Sequence, residues 1–248
     1  MPSLIKRAFR KLLTPVLWGY TSAEYQSASL TFSQFGEDVL MRYIFKADYR
    51  GFYVDVGAFH PMSFSNTYEL YRKGWRGIAI DPNPDCGVLF TRFRPEDTFI
   101  QSAVGTDSGL VEMAMFKQAT FNCTSDQIDK VPENVRRHTR LLQITIRPLS
   151  EILDSKGITK VDLLSVDCEG SDLKVLRSND WARWKPSVVC VEDHEDDWLQ
   201  SETAQYLNSL GYRLRYRSGL SSIYILHAQL TTLMSGSVKS RGCSGTVA

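Results

Sequence analysis

From Gly51 onward, short apolar runs rich in Val and Ile alternate with stretches of helical spacing, and this alternation most restricts the fold. Such runs need cover on both faces, which the crossover helices of a parallel sheet provide. The spacing predicts strands at Phe52 to Val56, Gly77 to Ile80, Thr98 to Val104, Val161 to Val166 and Ser187 to Glu192. Helices are expected at Ser65 to Lys73, Pro84 to Phe93, Leu173 to Leu176 and Glu202 to Leu210. Two last runs, Tyr212 to Tyr216 and Ser222 to His227, flank Arg217-Ser-Gly-Leu-Ser221 and read as an antiparallel hairpin. An α/β chain whose mostly parallel sheet closes in a hairpin differs from the six-strand dinucleotide fold.

The 248 residues, 43% of them hydrophobic, suffice for one large domain, expected over residues 31–232. Residues 1–30 precede it as a basic amphipathic helix and linker. There Leu4, Ile5, Ala8, Phe9, Leu12, Leu13, Val16 and Leu17 oppose Lys6, Arg7, Arg10 and Lys11. Residues 1–20 could lie peripherally on an anionic membrane or pack on protein. Residues 233–248 are small and polar, as in a disordered tail. Inside the domain, Val111 to Phe116 reads as an additional strand. Lys117 to Gln143 reads as a long polar loop whose Asn122, Arg136, Arg137, His138 and Arg140 could fold over a polar or anionic substrate, or be a solvated insertion.

A net charge of +1 argues against a nucleic-acid partner. Five cysteines without a C-x-x-C pair suggest reduced thiols in a cytoplasmic protein, and Cys168 and Cys190 read as buried core. No apolar run reaches the ~18 residues of a membrane span.

Ligands of open α/β sheets sit beyond the carboxyl ends of the strands. The first such turn, Val54-Asp-Val-Gly-Ala-Phe-His-Pro61, offers Gly57 for close backbone approach and Asp55 for a cationic amino group. The second, Ile78-Ala-Ile-Asp-Pro-Asn-Pro84, ends in Asp81, 26 positions after Asp55, where a carboxylate can grip a ribose diol. The G-x-G-x-x-G pyrophosphate loop is missing, because Ala58, Phe59, His60 and Pro61 follow Gly57. A ligand with a ribose and no diphosphate fits, which favours S-adenosyl-L-methionine over NAD and leaves a nucleotide-linked oxidoreductase as a weak reading.

Ser33-Gln-Phe-Gly-Glu-Asp-Val-Leu40, Phe52-Tyr-Val-Asp-Val-Gly-Ala58, Phe64-Ser-Asn-Thr67, Gly74-Trp-Arg-Gly-Ile-Ala-Ile-Asp-Pro-Asn-Pro84 and Leu164-Ser-Val-Asp-Cys-Glu-Gly170 occur in this order. Together they resemble the FkbM family of S-adenosylmethionine-dependent methyltransferases. The resemblance implies the class I methyltransferase (Rossmann-like) fold, with a seven-stranded sheet, and O-methylation. Carried over by motif, Asp55, Gly57 and Ala58 would hold the methionine part of the cofactor, Asp81 the ribose and Asn83 the adenosine, while Ser102, Ala103 and Val104 would line the adenine. Asn66 and Ser65 would cap a helix or meet the ligand carboxylate. Gln34 and Glu37 match the family's leading block. His60-Pro61 departs from the glycine-richer continuation common in class I enzymes.

Methyl transfer from a sulfonium needs an aligned acceptor and, for a hydroxyl, a base. Asp167 and Glu169 follow one strand, while Glu192, Asp193, His194 and Glu195 close another. Glu169 or His194 is the candidate base, and Asp167 the positioning group. The same types, Asp167, Glu169, Glu192 and His194, could instead hold a divalent metal that binds adjacent hydroxyls, a less favoured alternative. Glu195, Asp196 and Asp197 read as a solvated helix start, and His138 and His227 have no motif behind them. The expected function is O-methylation of a hydroxyl on a small-molecule acceptor, either a saccharide or glycan or a secondary metabolite. The alternative is a non-catalytic adaptor of the same fold at a membrane surface.

Overall fold

The computed structural model describes residues 29–117, 122–137 and 139–229. The basic amphipathic start and the polar tail, expected at 1–20 and 233–248, lie outside the described residues, as does His138. The chain divides into two units, Met1–Thr31 and Phe32–Ala248, and the architecture below is that of the second.

The elements run α1 (Glu37–Ile44), β1 (Phe52–Val56), α2 (Tyr68–Arg72), β2 (Arg76–Asp81), α3 (Cys86–Phe93), β3 (Thr98–Gln101), β4 (Ala103–Val104), β5 (Gly109–Met115), β6 (Cys123–Thr124), a 3-10 turn (Ser125–Lys130), α4 (Glu133–Arg136), β7 (Arg140–Arg147), α5 (Leu149–Ser155), β8 (Leu163–Val166), α6 (Asp172–Arg177), β9 (Val188–Glu192), α7 (Glu202–Ser209), β10 (Tyr212–Ser218), β11 (Ser221–Leu226) and a 3-10 turn at His227–Gln229. Seven strands form the main sheet in the order β10-β11-β9-β8-β1-β2-β3. The four pairings from β9 to β3 are parallel, and β11 joins β9 and β10 antiparallel.

Alternation along the strands divides the core. Val54, Val56, Ile78, Ile80, Leu164, Val166, Val189 and Val191 pack with Leu149, Ile152 and Leu153 of α5, Val175 and Leu176 of α6, and Leu207 of α7. Tyr53, Leu163, Val188, Cys190, Ile223 and Ile225 face the other way, onto Met41 and Ile44 of α1, Leu70 of α2, and Trp75. Covering both faces lets the central strands be almost wholly apolar.

Several boundaries differ from the sequence expectation. The expected strand Thr98 to Val104 breaks at Ser102, with β3 in the main sheet and β4 parallel to β7 in a second one. The supposed loop Lys117 to Gln143 contains β6, a 3-10 turn, α4 and the start of β7. These complete a four-stranded sheet ordered β4-β7-β5-β6. The long β5–β7 pairing, from Gly109↔Ile146 to Met115↔Arg140, satisfies backbone groups that a loop would leave to water. Helices α1 and α5 were not anticipated, and Ser65 to Tyr68 is a capping turn rather than helix. In it the Ser65 hydroxyl accepts from the Tyr68 amide at 3.1 Å. Glu195, Asp196 and Asp197 begin a turn, with α7 starting later at Glu202 behind its Ser201 cap.

Candidate active site

A cavity of about 700 Å³ opens at the carboxyl ends of β1, β2 and β8 and is closed from the other side by the second sheet. From the main sheet and its strand ends its wall takes Gly57, Asp81, Ser102, Asp167 and Glu169, and from the second Ala103, Val111, Met113 and Ile146. The connection through Ser102, whose hydroxyl donates to the Thr145 carbonyl at 3.0 Å, ties the sheets together beside the cavity.

The floor is built from backbone in close approach. Gly57 has φ +78°, and its amide donates to the Ile80 carbonyl at 2.9 Å. A Cβ there would fall 1.7 Å from the Asp167 carbonyl oxygen. Only glycine lets the turns after β1 and β8 touch. Among the described residues, three non-glycine positions have positive φ, namely Phe59 (47°), Phe64 (56°) and Glu169 (49°), and all three line this cavity. Strained backbone held by its surroundings concentrates at ligand sites. Phe64 is 56% exposed despite its size.

The Asp81 carboxylate is held from both sides. Oδ2 accepts from the Phe59 amide at 2.8 Å and Oδ1 from the Asn83 amide at 2.8 Å. Burial pushes its pKa up, opposed by these two amides. Oδ1 also meets the Cys86 thiol at 3.8 Å, and Oδ2 keeps a lone pair for a further donor.

Asp167 and Glu192 are buried carboxyls hydrogen-bonded to one another. Burial raises both above the carboxylate range, helped at Asp167 by the Glu192 charge and at Glu192 by Glu169 and Asp172 against the lowering hydrogen bond from Asp167, so the pair retains a proton. Glu192 Oε2 lies 3.0 Å from His194 Nε2. Glu169 is also raised by burial, with His194 acting in the opposite sense. Glu169, Glu192 and His194 each bring one ligand atom within 4.8 Å of the others, which unites three of the four residues of the alternative metal set. Asp167, the fourth, reaches them through Glu192.

Of the residues singled out in the sequence, Gly57, Asp81, Ser102, Ala103, Asp167 and Glu169 reach the cavity, together with Gln34 and Val104. Four cofactor candidates do not. Asp55 follows the pleat to the α1–α2 face, where the Thr67 hydroxyl donates to it at 2.5 Å, Ser165 hydrogen-bonds it and Arg94 opposes its charge. Asn66 turns the same way and donates to the Ser165 hydroxyl at 3.2 Å. Ala58 is packed among Ala79, Cys86 and Phe90. Asn83 contributes its amide to Asp81 and its side chain to a smaller recess with Asp85 and Arg140. His194 stands behind Glu192, outside the wall, whereas Cys168 packs against the core and also lines the cavity. Of the former loop, Asn122 lines the cavity, while Arg136 pairs with Asp129 at 3.1 Å and Arg140 with Asp85 at 3.8 Å. Phe59, Phe64, Lys174 and the lining of β5 and β7 were missed. Only the nearness of the two phenylalanines to Gly57 could have signalled them.

An open α/β sheet of this strand order, with its cavity beyond β1, β2 and β8 and its terminal antiparallel hairpin, defines the class I methyltransferase architecture. A family model described as the methyltransferase FkbM domain matches residues 55–214, well over half of the chain. The chain belongs to the FkbM methyltransferase domain family. Among solved structures it is similar to a TehB-like SAM-dependent methyltransferase from Corynebacterium glutamicum, at 11% identity and a TM-score of 0.42, covering 91% of this chain and 100% of that one. It is also similar to a precorrin-6y C5,15-methyltransferase from Geobacter metallireducens, at 13% identity and a TM-score of 0.37, covering 76% and 85%. No curated protein matches it. Among the described residues no helix is long and apolar enough to cross a membrane.

Proposed function

We propose that the protein is an S-adenosyl-L-methionine-dependent O-methyltransferase acting on a hydroxyl of a saccharide, glycan or secondary-metabolite acceptor. The observation that carries this reading is the Asp81 carboxylate, fixed by two backbone amides in the wall of a cavity that also presents Asp167 and Glu169. A ribose diol is a pair of donors, and Asp81 Oδ2, which accepts only the Phe59 amide, keeps an acceptor site for one of them. The Gly57 turn brings backbone rather than a side chain to the cavity floor, and Ala58-Phe-His-Pro61 supplies no phosphate cradle. S-Adenosylmethionine would supply a methyl group already activated on a sulfonium.

The chain's own groups must then align an acceptor oxygen and take its proton. Glu169 is the base, because it lines the cavity while His194 stands off it. With the methyl group supplied by the sulfonium, which would leave as a neutral thioether, Glu169 would take the proton of the attacking hydroxyl. Asp167 carries the proton it shares with Glu192 and positions the acceptor by hydrogen bonding. Calorimetry with S-adenosylmethionine tests this directly: the parent protein binds, and Asp81→Ala binds at least tenfold more weakly. Equal affinity would remove the assignment.

A further inference from the structure

Two buried carboxylates at the start of α1 hold the loop that precedes it. Asp38 accepts from the Phe32 amide and the Ser33 hydroxyl, both at 2.9 Å, and Glu37 accepts from the Phe35 amide at 2.9 Å. A buried carboxylate is costly unless its oxygens find donors, and here the loop supplies them. The same loop is fastened to two other parts of the fold. The Phe32 carbonyl accepts from the Ser65 amide at 3.0 Å, and the Phe35 carbonyl accepts from the Ser218 hydroxyl at 2.5 Å. The Phe35 ring lies so close over Gly219 that a Cβ there would fall 2.3 Å from it.

Gln34 stands between these anchors. It lines the cavity, and its carboxamide has no hydrogen-bond partner among the described residues. The anchors fix which end of the cavity it serves. Ser218 and Gly219 lead into the β10–β11 turn, which meets the end of β9: the Asp193 amide donates to the Leu220 carbonyl at 2.9 Å, and Ser221 pairs with Glu192. At the other anchor, Asn66 beside Ser65 donates to Ser165 of β8. Strand β9 is three strand steps from β2, roughly 14 Å at the usual spacing, so Gln34 belongs to the side of Asp167 and Glu169 and not to that of Asp81.

We propose that Gln34 is an acceptor-binding residue, its carboxamide hydrogen-bonding an oxygen of the acceptor beside Asp167 and Glu169. This rests on the methyltransferase reading above and adds to it a residue that touches the acceptor. A carboxamide both donates and accepts, so it meets a hydroxyl in either sense. A long side chain orients a ligand only when its backbone is fixed, and Asp38, Glu37, Ser65 and Ser218 fix it.

The test uses the full chain, methyl-labelled S-adenosylmethionine and dilute extract of the protein's own host as the source of acceptor. Gln34 is exposed, so Gln34→Ala and the length-matched Gln34→Met leave the core intact. Both variants should bind S-adenosylmethionine in calorimetry within threefold of the parent, and both should label the extract at least tenfold more slowly. Parental labelling by Gln34→Ala overturns the proposal. Parental labelling by Gln34→Met alone also overturns it, since shape and not hydrogen bonding would then be what matters. Binding of S-adenosylmethionine weakened beyond threefold moves Gln34 to the cofactor and overturns it as well. A parent that binds S-adenosylmethionine and labels nothing overturns the acceptor role, whereas one that does not bind it overturns the methyltransferase reading instead.

Discussion

Gly57 and Asp167 meet backbone to backbone: the absent Cβ of one would lie 1.7 Å from the carbonyl oxygen of the other. That contact joins the turn after β1 to the turn after β8, the two edges from which the cavity floor is made. Gly57→Ala must therefore part the turns and also hold a non-glycine residue at φ +78°. The left-handed conformation alone costs roughly 1–2 kcal/mol. The expected result in urea melts is a loss of at least ~2 kcal/mol, with weaker binding of S-adenosylmethionine by calorimetry. A variant with parental stability would show that the contact is not a constraint.

Arg94 is fully buried and gathers the loop that carries Phe59 and Phe64. It pairs with Asp97 at 2.7 Å, donates to the Tyr53 hydroxyl at 2.7 Å and the Thr67 hydroxyl at 3.0 Å, and faces Asp55. Breaking a buried pair strands its partner's charge at a cost of about 3–5 kcal/mol. Arg94→Met should lower unfolding stability by that order, and Arg94→Met/Asp97→Asn should recover part of it. No recovery in the double variant would mean that the pair is not the source of the loss.

Burial raises the carboxyls of Asp55, Asp81, Asp167, Glu169, Asp172 and Glu192. The unfolded carboxyls release their protons near pH ~4. Above that pH the folded state binds more protons than the unfolded state, so stability of the ligand-free protein falls as pH rises. Asp167→Asn keeps a donor to Glu192 without a titrating proton. Its melting temperature relative to the parent should rise between pH 5 and pH 8, by at least ~2 °C. A constant or shrinking difference over that range would contradict the shared-proton pair.

If Glu169 acts as base without a metal, chelator should leave methyl transfer within twofold. Glu169→Gln should reduce kcat by roughly 10²–10⁴-fold, the usual worth of a general base. A tenfold loss in chelator, restored by Mg²⁺ or Mn²⁺, would reassign Glu169, Glu192 and His194 as ligands.

The main sheet was legible because its strands are Val- and Ile-rich with hydrophobic cover on both faces, a pattern few other arrangements produce. Asp81 was legible because strand ends in such sheets are where ligands meet side chains. Asp55 was misplaced because proximity to the glycine turn outweighed strand parity: with Val54 and Val56 facing α5 and α6, Asp55 must face α1 and α2. Strand β7 was hidden by its flanks. Leu142, Ile144 and Ile146 alternate properly, but Arg140 at one end and the polar run before it read as loop. Missing β7 meant missing the second sheet, and with it that side of the cavity wall.

The most direct measurement follows label from methyl-labelled S-adenosylmethionine into extract of the protein's own host, with parent protein and with Asp81→Ala. The parent should transfer label to a product that is stable to mild base, as an ether is and an ester is not, and Asp81→Ala should transfer little. No labelled product from the parent, or equal labelling by both, would contradict a methyltransferase whose cofactor is held by Asp81.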